Sequence, residues 1–142
     1  RGYRVPMSIH RVLIVDDSSL VREILCTLVT RDPNLEVCGE AENGREAIVK
    51  CAEHDPDMIL LDLQMPEFDG LSFLRHYRTK TRAKIIILSG MISGNRKPIG
   101  INAKNLGADA VLSKPENMSD EASESIEELM RTVYELLGIE AA

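Results

Sequence analysis

The sequence predicts a doubly wound α/β domain, in which helices cover both faces of one parallel β-sheet. Five short apolar runs of strand length alternate along the chain with segments of helical periodicity. The first, third and fourth runs are apolar throughout, which is typical of parallel strands buried on both faces. The chain has 142 residues, 44% hydrophobic and 28% charged, which is the length of about one domain.

Composition and charge exclude several classes of protein. The chain has 17 basic and 23 acidic residues and a net charge of −6, so it lacks the basic footprint of a nucleic-acid-binding protein. No apolar run approaches the roughly 18 residues that a membrane span needs. Cys26, Cys38 and Cys51 form no CxxC pair, and the three histidines show no metal-ligand spacing. We therefore expect a cytoplasmic protein with buried, reduced cysteines and with oxygen ligands for any metal.

Each of the five predicted strands is a short run rich in Val, Ile and Leu, and turn-forming residues bound most of them. In chain order they span residues 9–15, 35–41, 57–61, 84–88 and 110–113. The second is the weakest of the five. Because helical segments separate them, we expect all five strands to run parallel.

Three helices are predicted between the first four strands. The first begins with Ser18 or Ser19 as its N-cap, and the second runs from Asn43-Gly44 to Asp55-Pro56. The third follows Asp69-Gly70, which we interpret as a turn and a helix start, with no role in chemistry. Their buried faces are predicted as Leu20, Val21, Ile24, Leu25, Leu28 and Val29; Ala47, Ile48, Cys51 and Ala52; and Leu71, Phe73, Leu74 and Tyr77.

Two more helices are predicted on either side of the fifth strand. Gly90, Gly94, Pro98 and Gly100 interrupt the segment before it, so the fourth helix is expected to be short and to start late. The last helix has the strongest signal, with Ser119 as N-cap and Gly138 as its C-terminal stop. Its buried stripe is predicted as Ile126, Leu129, Met130, Val133, Leu136 and Leu137.

These elements place one domain at residues 9–138. Residues 1–8 have no periodicity, and we interpret them as an N-terminal extension or a cloning remnant. Residues 139–142 are interpreted as a C-terminal tail or the start of a linker. No internal repeat, low-complexity tract or interior linker divides the chain.

Polar residues follow four of the five strands at the point where the apolar run stops. They are Asp16-Asp17, Asp62, Ser89 and Lys114. In a parallel sheet all the carboxyl ends of the strands lie at one edge, where ligands bind. Adjacent strands lie about 4.8 Å apart, so two or three carboxylates are expected to crowd one pocket.

The chemistry of this set of residues favours a metal ion and a phosphoryl group. Clustered carboxylates raise each other's pKa unless a cation neutralises them, and Mg²⁺ is the divalent ion that one or two carboxylates and a carbonyl hold. The ammonium of Lys114 and the hydroxyl of Ser89 would suit phosphoryl oxygens. One of the carboxylates could itself act as the nucleophile and form an aspartyl-phosphate.

Four motifs in this order carry a resemblance to a known family. They are VLIVDDS at 12–18, LLDLQMPEFDG at 60–70, ILSG at 87–90 and LSKP at 112–115. Over about residues 9–137 the chain resembles the receiver domain of two-component response regulators. The resemblance implies a flavodoxin-like fold with five helices and strand order 2-1-3-4-5. It also implies phosphorylation of Asp62 by a histidine kinase or by small phosphodonors.

Carried over by position, the resemblance implies a Mg²⁺ site of four residues. Asp17 would bind the ion directly, and Asp16 would bind it mainly through water. Asp62 would be both a metal ligand and the phosphoacceptor. The backbone carbonyl of Gln64 would complete the protein ligands, and we hypothesise that its side chain controls the access of water.

The resemblance also implies the residues that contact the phosphoryl group. Ser89 would hydrogen-bond its oxygens and Lys114 would pair with them, positioned by a cis peptide bond before Pro115. The switch position three residues before Lys114, usually aromatic in the family, is Val111 here. Coupling would therefore depend on Ser89 and on loop movement, because there is no aromatic ring to rotate.

Among receivers, the chain most resembles those of chemotaxis methylesterases. Receivers of DNA-binding, helix-turn-helix regulators share parts of the pattern, so a transcriptional regulator is the alternative. The chain is then either a single-domain regulator or a receiver whose methylesterase effector domain is missing from this sequence. We expect a monomer or a phosphorylation-linked dimer, with a histidine kinase and an effector domain or downstream protein as partners.

Two other classes compete with a phosphorylated receiver. A Mg²⁺-dependent phosphatase with an aspartate nucleophile typically needs a second Asp two residues after it, and Gln64 occupies that position. A pseudo-receiver would have the fold and bind partners without phosphate. The chemically intact site positions argue against it.

Overall fold

The computed structural model describes residues 8–66, 68–90, 97–115, 118 and 123–140. Strands and helices alternate along the chain, as the sequence predicts, and a 3-10 turn at Arg78–Lys80 follows the third helix. In chain order the elements are β1 His10–Val15, α1 Ser19–Thr30, β2 Leu35–Ala41, α2 Gly44–His54, β3 Met58–Asp62, α3 Gly70–Tyr77, β4 Lys84–Ser89, α4 Lys97–Asn105, β5 Ala110–Ser113 and α5 Ser123–Leu137. The predicted strand ends lie within one residue of the observed ones.

The five strands form one parallel sheet in the order β2-β1-β3-β4-β5, which confirms the predicted flavodoxin-like topology. Alternate residues of the central strands supply two separate cores. Ile59, Leu61, Ile85 and Ile87 belong to the core that also contains residues of α2, α3 and α4. Met58, Leu60, Ile86 and Leu88 belong to the core on the side of α1 and α5. Both faces of the sheet are therefore buried, which explains the uninterrupted apolar runs.

Side-chain caps begin the first three helices where the sequence predicts them. Of the two candidate serines, Ser18 caps α1, because its hydroxyl accepts a hydrogen bond from the Val21 N–H at 3.3 Å. Asn43 caps α2 and Asp69 caps α3, each through a side-chain oxygen that accepts a backbone N–H three residues on. These bonds satisfy donors that a helix leaves unpaired at its first turn.

The last two helices also follow the prediction where the structure describes them. The fourth, α4, spans nine described residues, Lys97–Asn105, and the six residues before it lie outside the described ranges. In α5, Leu129 and Val133 are buried, and the other four residues of the predicted stripe pack partly buried against the same core. Gly138 ends α5 with φ +71°, a backbone conformation that favours glycine. The predicted cap Ser119 lies outside the described residues.

Some predictions of burial are wrong. Ala52 is exposed, because it lies about 100° around α2 from Cys51 and at the edge of the apolar arc. Leu20, in the first turn of α1, is also exposed, at 61%. Cys51 is buried, whereas Cys26 and Cys38 are only half-buried; all three are free thiols. The sequence did not predict the irregularity in β2, where the pairing shifts between Val12 and Leu13 and leaves Cys38 without an opposite residue. None of the helices in the described ranges is long and apolar enough to cross a membrane.

Candidate functional site

The topology brings the predicted site residues to one edge of the sheet. Asp16 directly follows β1, Asp62 ends β3, Ser89 ends β4 and Lys114 directly follows β5. Because β1, β3, β4 and β5 are successive neighbours in the sheet, these residues come from four adjacent strand ends. Residues far apart in sequence therefore lie at the same carboxyl edge of the sheet, where ligands bind in parallel folds.

Three carboxylates form a compact cluster at this edge. Asp16, Asp17 and Asp62 each offer one oxygen, and these atoms all lie within 4.8 Å of one another. Asp16 is 1% exposed and Asp62 is 3% exposed, whereas Asp17 is open to solvent. Two members are therefore fixed within the protein and the third faces the solution.

Lys114 is the cation that pairs with the buried members of the cluster. Its Nζ lies 3.0 Å from Oδ2 of Asp16 and 3.1 Å from Oδ1 of Asp62. Its backbone N–H donates to the Ser89 carbonyl at 2.9 Å, which fixes the start of the side chain. Burial lowers the pKa of Lys114, but the carboxylates of Asp16 and Asp62 together raise it by more, so the ammonium stays charged.

The carboxyl group of Asp62 has one engaged and one unengaged oxygen. Oδ1 pairs with Lys114 and accepts the Gln64 N–H at 3.3 Å. Oδ2 is buried and accepts no hydrogen bond from the residues that the structure describes. Burial first, and then the charge of Asp16, raise the pKa of Asp62 to about 6, although Lys114 acts in the opposite direction. Only Oδ1 of this carboxylate is therefore compensated, and Oδ2 has no hydrogen-bond partner among the described residues.

The donor set fits a hard divalent cation. Three carboxylates and one ammonium leave a charge of −2 when all are ionised, and oxygen ligands are the type that Mg²⁺ prefers. The unpartnered Oδ2 of Asp62 and the exposed carboxylate of Asp17 are both available as ligands. The cluster could thus hold Mg²⁺, with the open side at Asp17 left for water or a further ligand.

Comparison with protein families identifies the family to which this fold belongs. The family model for the response regulator receiver domain matches residues 12–125, which include every strand end described above. The chain belongs to the response regulator receiver family. The predicted resemblance is therefore confirmed.

Known relatives of this receiver include protein-glutamate methylesterases/protein-glutamine glutaminases. A protein-glutamate methylesterase/protein-glutamine glutaminase from Carboxydothermus hydrogenoformans is 38% identical over 128 residues, which are 89% of this chain and 36% of that protein. The chain thus spans about a third of the length of this curated relative.

The solved structures similar to this receiver include two with chemotaxis protein names in their descriptions. The response regulator domain of Thermotoga maritima CheB matches with a TM-score of 0.81 and 29% identity, covering 94% of this chain and 99% of that chain. A second match has a TM-score of 0.77 and 39% identity, and covers 92% of this chain and 98% of its own. It comes from the crystal structure of the P1 domain of CheA3 in complex with CheY6 from R. sphaeroides.

The structure also locates three other predicted residues of the receiver, Ser89, Gln64 and Val111. Ser89 is buried at the end of β4, opposite Ser113 of β5. Gln64 is exposed, and its backbone N–H contacts Asp62. Val111 is half-buried in β5 opposite Ile87, and it packs against the core on the side of α2, α3 and α4. This position therefore holds an aliphatic side chain within the core.

The predicted cis peptide bond before Pro115 is wrong. The described residues contain no cis peptide bond, so the bond from Lys114 to Pro115 is trans. The trans form is the more stable one for most X–Pro bonds. In this geometry the ammonium of Lys114 already reaches both Asp16 and Asp62.

Sequence reasoning missed two groups of residues that hold the site in place. Arg22 of α1 donates from Nη1 to the backbone carbonyl of Asp16 at 2.6 Å, and its Nε lies 3.2 Å from Oε1 of Glu40. The Gly44 N–H donates to the Phe68 carbonyl at 2.8 Å, which ties the β3–α3 loop to the start of α2. The sequence pattern carries no signal for the Arg22 contact, because the contact depends on how α1 is oriented against the sheet. Gly44 was interpreted only as a helix start.

Proposed function

We propose that this receiver is a phosphorylation switch, in which Asp62 accepts a phosphoryl group in a Mg²⁺-dependent reaction with a histidine kinase as donor. The observation that carries the proposal is the state of the Asp62 carboxyl group. It is buried beside the ammonium of Lys114, and its Oδ2 has no hydrogen-bond partner among the described residues. A buried carboxylate oxygen with no partner is suited to bind a metal ion or to form a bond.

The contacts of the two buried aspartates explain why Asp62, and not Asp16, is the proposed phosphoacceptor. Asp16 has both carboxylate oxygens engaged, Oδ1 by the Ser18 N–H at 2.8 Å and Oδ2 by Lys114 at 3.0 Å. Asp62 keeps Oδ2 unengaged. In the proposed reaction Oδ2 of Asp62 attacks phosphorus, and the P–N bond of a phosphohistidine breaks as the new P–O bond forms.

The surrounding residues supply the charge that the reaction needs. We assign Asp17, Asp16, Asp62 and the Gln64 carbonyl as the residues that would hold Mg²⁺, with Asp16 acting mainly through water. When bound, the ion would neutralise negative charge on the carboxylates and the phosphoryl oxygens. Lys114 would pair with a phosphoryl oxygen as its bonds to carboxylates loosen.

Ser89 and Gln64 are assigned roles after the transfer. The Ser89 hydroxyl would donate to a phosphoryl oxygen, which links the event to the end of β4. Because Val111 has no ring to rotate, we propose that this link and the loop after β4 transmit the signal. The Gln64 side chain would control the access of water that hydrolyses the acyl phosphate.

Chemotaxis is the pathway we favour. Receiver domains interact with histidine kinases and with effector domains, and the curated relative above carries a methylesterase activity in its name. We propose that phosphorylation of this receiver regulates a methylesterase effector in the cytoplasm. The alternative is that this receiver belongs to a DNA-binding regulator. The identity of an effector domain encoded by the same gene would distinguish the two proposals.

Acetyl phosphate with Mg²⁺ tests the proposed reaction, with intact mass as the readout. We expect the mass of one added phosphoryl group on the wild-type chain and none on Asp62→Asn, because the amide is not a nucleophile for phosphorus. Wild type in EDTA is the metal control and should also stay unmodified. An adduct on Asp62→Asn, or none on wild type despite bound Mg²⁺, would reject Asp62 as the phosphoacceptor.

A further inference from the structure

Asp16 is held by a hydrogen bond or ion pair at each of its polar groups. Its N–H donates to the Ala41 carbonyl at 3.0 Å, and its carboxylate is held by the Ser18 N–H and by Lys114. The remaining group, the backbone carbonyl, accepts a hydrogen bond from Nη1 of Arg22 at 2.6 Å. Arg22 therefore fixes the part of Asp16 that the sheet and the carboxylate cluster leave free.

The direction of the Asp16 carbonyl determines where the next residue lies. The carbonyl of Asp16 and the N–H and Cα of Asp17 share one planar peptide unit, so a bond that fixes the carbonyl also fixes the start of Asp17. Asp17 is exposed, and among the described residues none forms a hydrogen bond or an ion pair with its carboxylate. Its position within the cluster therefore depends on the backbone that carries it.

Glu40 in turn holds the guanidinium of Arg22. Its Oε1 lies 3.2 Å from Nε of Arg22, and Glu40 sits opposite Ile14 in the pairing of β1 with β2. The Arg22 side chain is only 17% exposed, so it lies packed between α1 and the sheet. A guanidinium can bind two acceptors at a fixed angle, which a lysine ammonium does not reproduce.

We propose that Arg22 is a positioning residue for the metal site. It orients the Asp16–Asp17 peptide so that the Asp17 carboxylate joins Asp16 and Asp62, and Glu40 keeps the guanidinium in place. The inference rests on the proposed function for the identity of the ion, Mg²⁺. Arg22 itself contacts neither the ion nor the phosphoryl group.

The direction in which Mg²⁺ affinity changes when Arg22 is replaced distinguishes a positioning role from a purely electrostatic one. A guanidinium beside the cluster repels a divalent cation, so if charge were its only contribution, removing Arg22 would tighten the binding of Mg²⁺. If Arg22 positions Asp17, removing it weakens the binding. Arg22→Lys keeps the charge and loses the two-acceptor geometry, so only positioning predicts weaker binding for this variant as well.

Calorimetric titration of the purified chain with Mg²⁺ tests the proposal. We expect the Kd to rise by about tenfold in both Arg22→Met and Arg22→Lys, the scale typical of losing a residue that orients a metal ligand. Arg31→Met is the matched control, since Arg31 is an exposed residue at the far end of α1, and its Kd should equal that of wild type. When acetyl phosphate is the phosphodonor, saturating Mg²⁺ should restore the phosphorylation rate of the Arg22 variants to that of wild type. The defect should therefore appear as a higher Mg²⁺ concentration at half-maximal rate, with the maximal rate unchanged.

An unchanged or lower Kd in Arg22→Met overturns the proposal. If circular dichroism shows that the Arg22 variants are unfolded, Glu40→Gln replaces them, and its Kd must rise in the same direction for the proposal to stand. Failure of wild type to bind Mg²⁺ rejects both this inference and the proposed function. If wild type binds Mg²⁺ and is phosphorylated while the Arg22 variants keep its Kd, only the positioning role is lost.

Discussion

Asp62 shows how the environment of one residue links the site to stability. Burial and then the charge of Asp16 raise its pKa from 3.8 to about 6, against the effect of Lys114. A pKa that is higher in the native state means that the native protein holds this proton more firmly than the unfolded chain does. The contribution of Asp62 to the free energy of unfolding therefore rises as the pH falls from about 6 towards 3.8, and it is unfavourable above pH 6.

Asp62→Asn is accordingly expected to stabilise the metal-free protein at neutral pH. In EDTA at about pH 7.5, the Tm of Asp62→Asn should exceed that of wild type by a few degrees, because the amide carries no buried charge. The difference should shrink towards about pH 5, where the native carboxyl group is protonated. Thermal melts followed by circular dichroism measure both values. Glu23→Gln, an exposed position on α1, serves as the control, and a difference that does not depend on pH would contradict the expectation.

At the scale of elements, the contact between α2 and the β3–α3 loop positions the segment that carries Gln64, whose carbonyl is a proposed metal ligand. A Cβ added at Gly44 would lie 2.4 Å from the Phe68 carbonyl oxygen and 2.5 Å from Cδ1 of its ring. Both are closer than real contacts allow, and one of the two atoms is backbone. The loop that connects Asp62 to Phe68 also carries Gln64, so displacing Phe68 moves that loop.

Gly44→Ala is therefore expected to destabilise the protein, although alanine is the better helix former by about 1 kcal/mol. Overpacking against backbone costs about 1–3 kcal/mol, so the free energy of unfolding should fall. Urea titration measures this loss, and the Mg²⁺ titration should show weaker binding as the Gln64 carbonyl shifts. Gly90→Ala is the matched control, because a Cβ there meets nothing within 4 Å. Equal free energies of unfolding for Gly44→Ala and Gly90→Ala would contradict the expectation, because they would show that the β3–α3 loop moves aside without loss of stability.

Arg78 joins the end of α3 to two neighbouring segments. Its Nη2 donates to the carbonyls of Thr81 and Ala83 before β4, at 3.1 and 2.6 Å. Its Nη1 reaches the Gly107 carbonyl and Oδ2 of Asp109 before β5, at 3.3 and 3.4 Å. One side chain thus holds the starts of two strands in register with a helix.

Arg78→Met should reduce the free energy of unfolding by about 2 kcal/mol, because it leaves partly buried carbonyls without a donor. Arg78→Lys should restore little of this loss, since an ammonium cannot span four acceptors in two directions. Arg82→Met, an exposed neighbour, should stay near wild type. Urea titrations of the three variants provide the comparison. A full rescue by Arg78→Lys would show that charge alone matters at this position.

At the scale of the whole molecule, the fold was predictable because burial leaves its pattern in the sequence. Both faces of the sheet are covered, so the central strands are uninterrupted apolar runs, and side-chain caps such as Asn43 and Asp69 mark the helix starts. The carboxylate cluster was predictable because the carboxyl ends of all the strands in a parallel sheet lie at one edge.

The parts that sequence reasoning missed depend on where two distant segments touch. Gly44 and Phe68 are far apart in the chain, and nothing in either residue type announces their contact. The bond from Arg22 to the Asp16 carbonyl depends on how α1 is oriented against the sheet. The irregular pairing at Cys38 likewise depends on the fit between two strands. Periodicity and capping rules describe single elements, so they are silent about such contacts.

The position of the site would make the proposed metal binding a property of the whole fold. Ligands from the ends of β1 and β3, bridged by a lysine that follows β5, can bind the ion together only while the sheet is intact. Binding to the native state alone raises the free energy of unfolding by about 2.7 kcal/mol when Mg²⁺ is present at a hundred times its Kd. We therefore expect the urea midpoint of wild type to rise with the logarithm of the Mg²⁺ concentration.

Asp17→Asn should lose this dependence while unfolding like wild type in EDTA, because Asp17 is exposed and has no partner among the described residues. If Asp17→Asn kept the full dependence, the buried pair Asp16 and Asp62 would suffice to bind the ion, and Asp17 would not be a ligand.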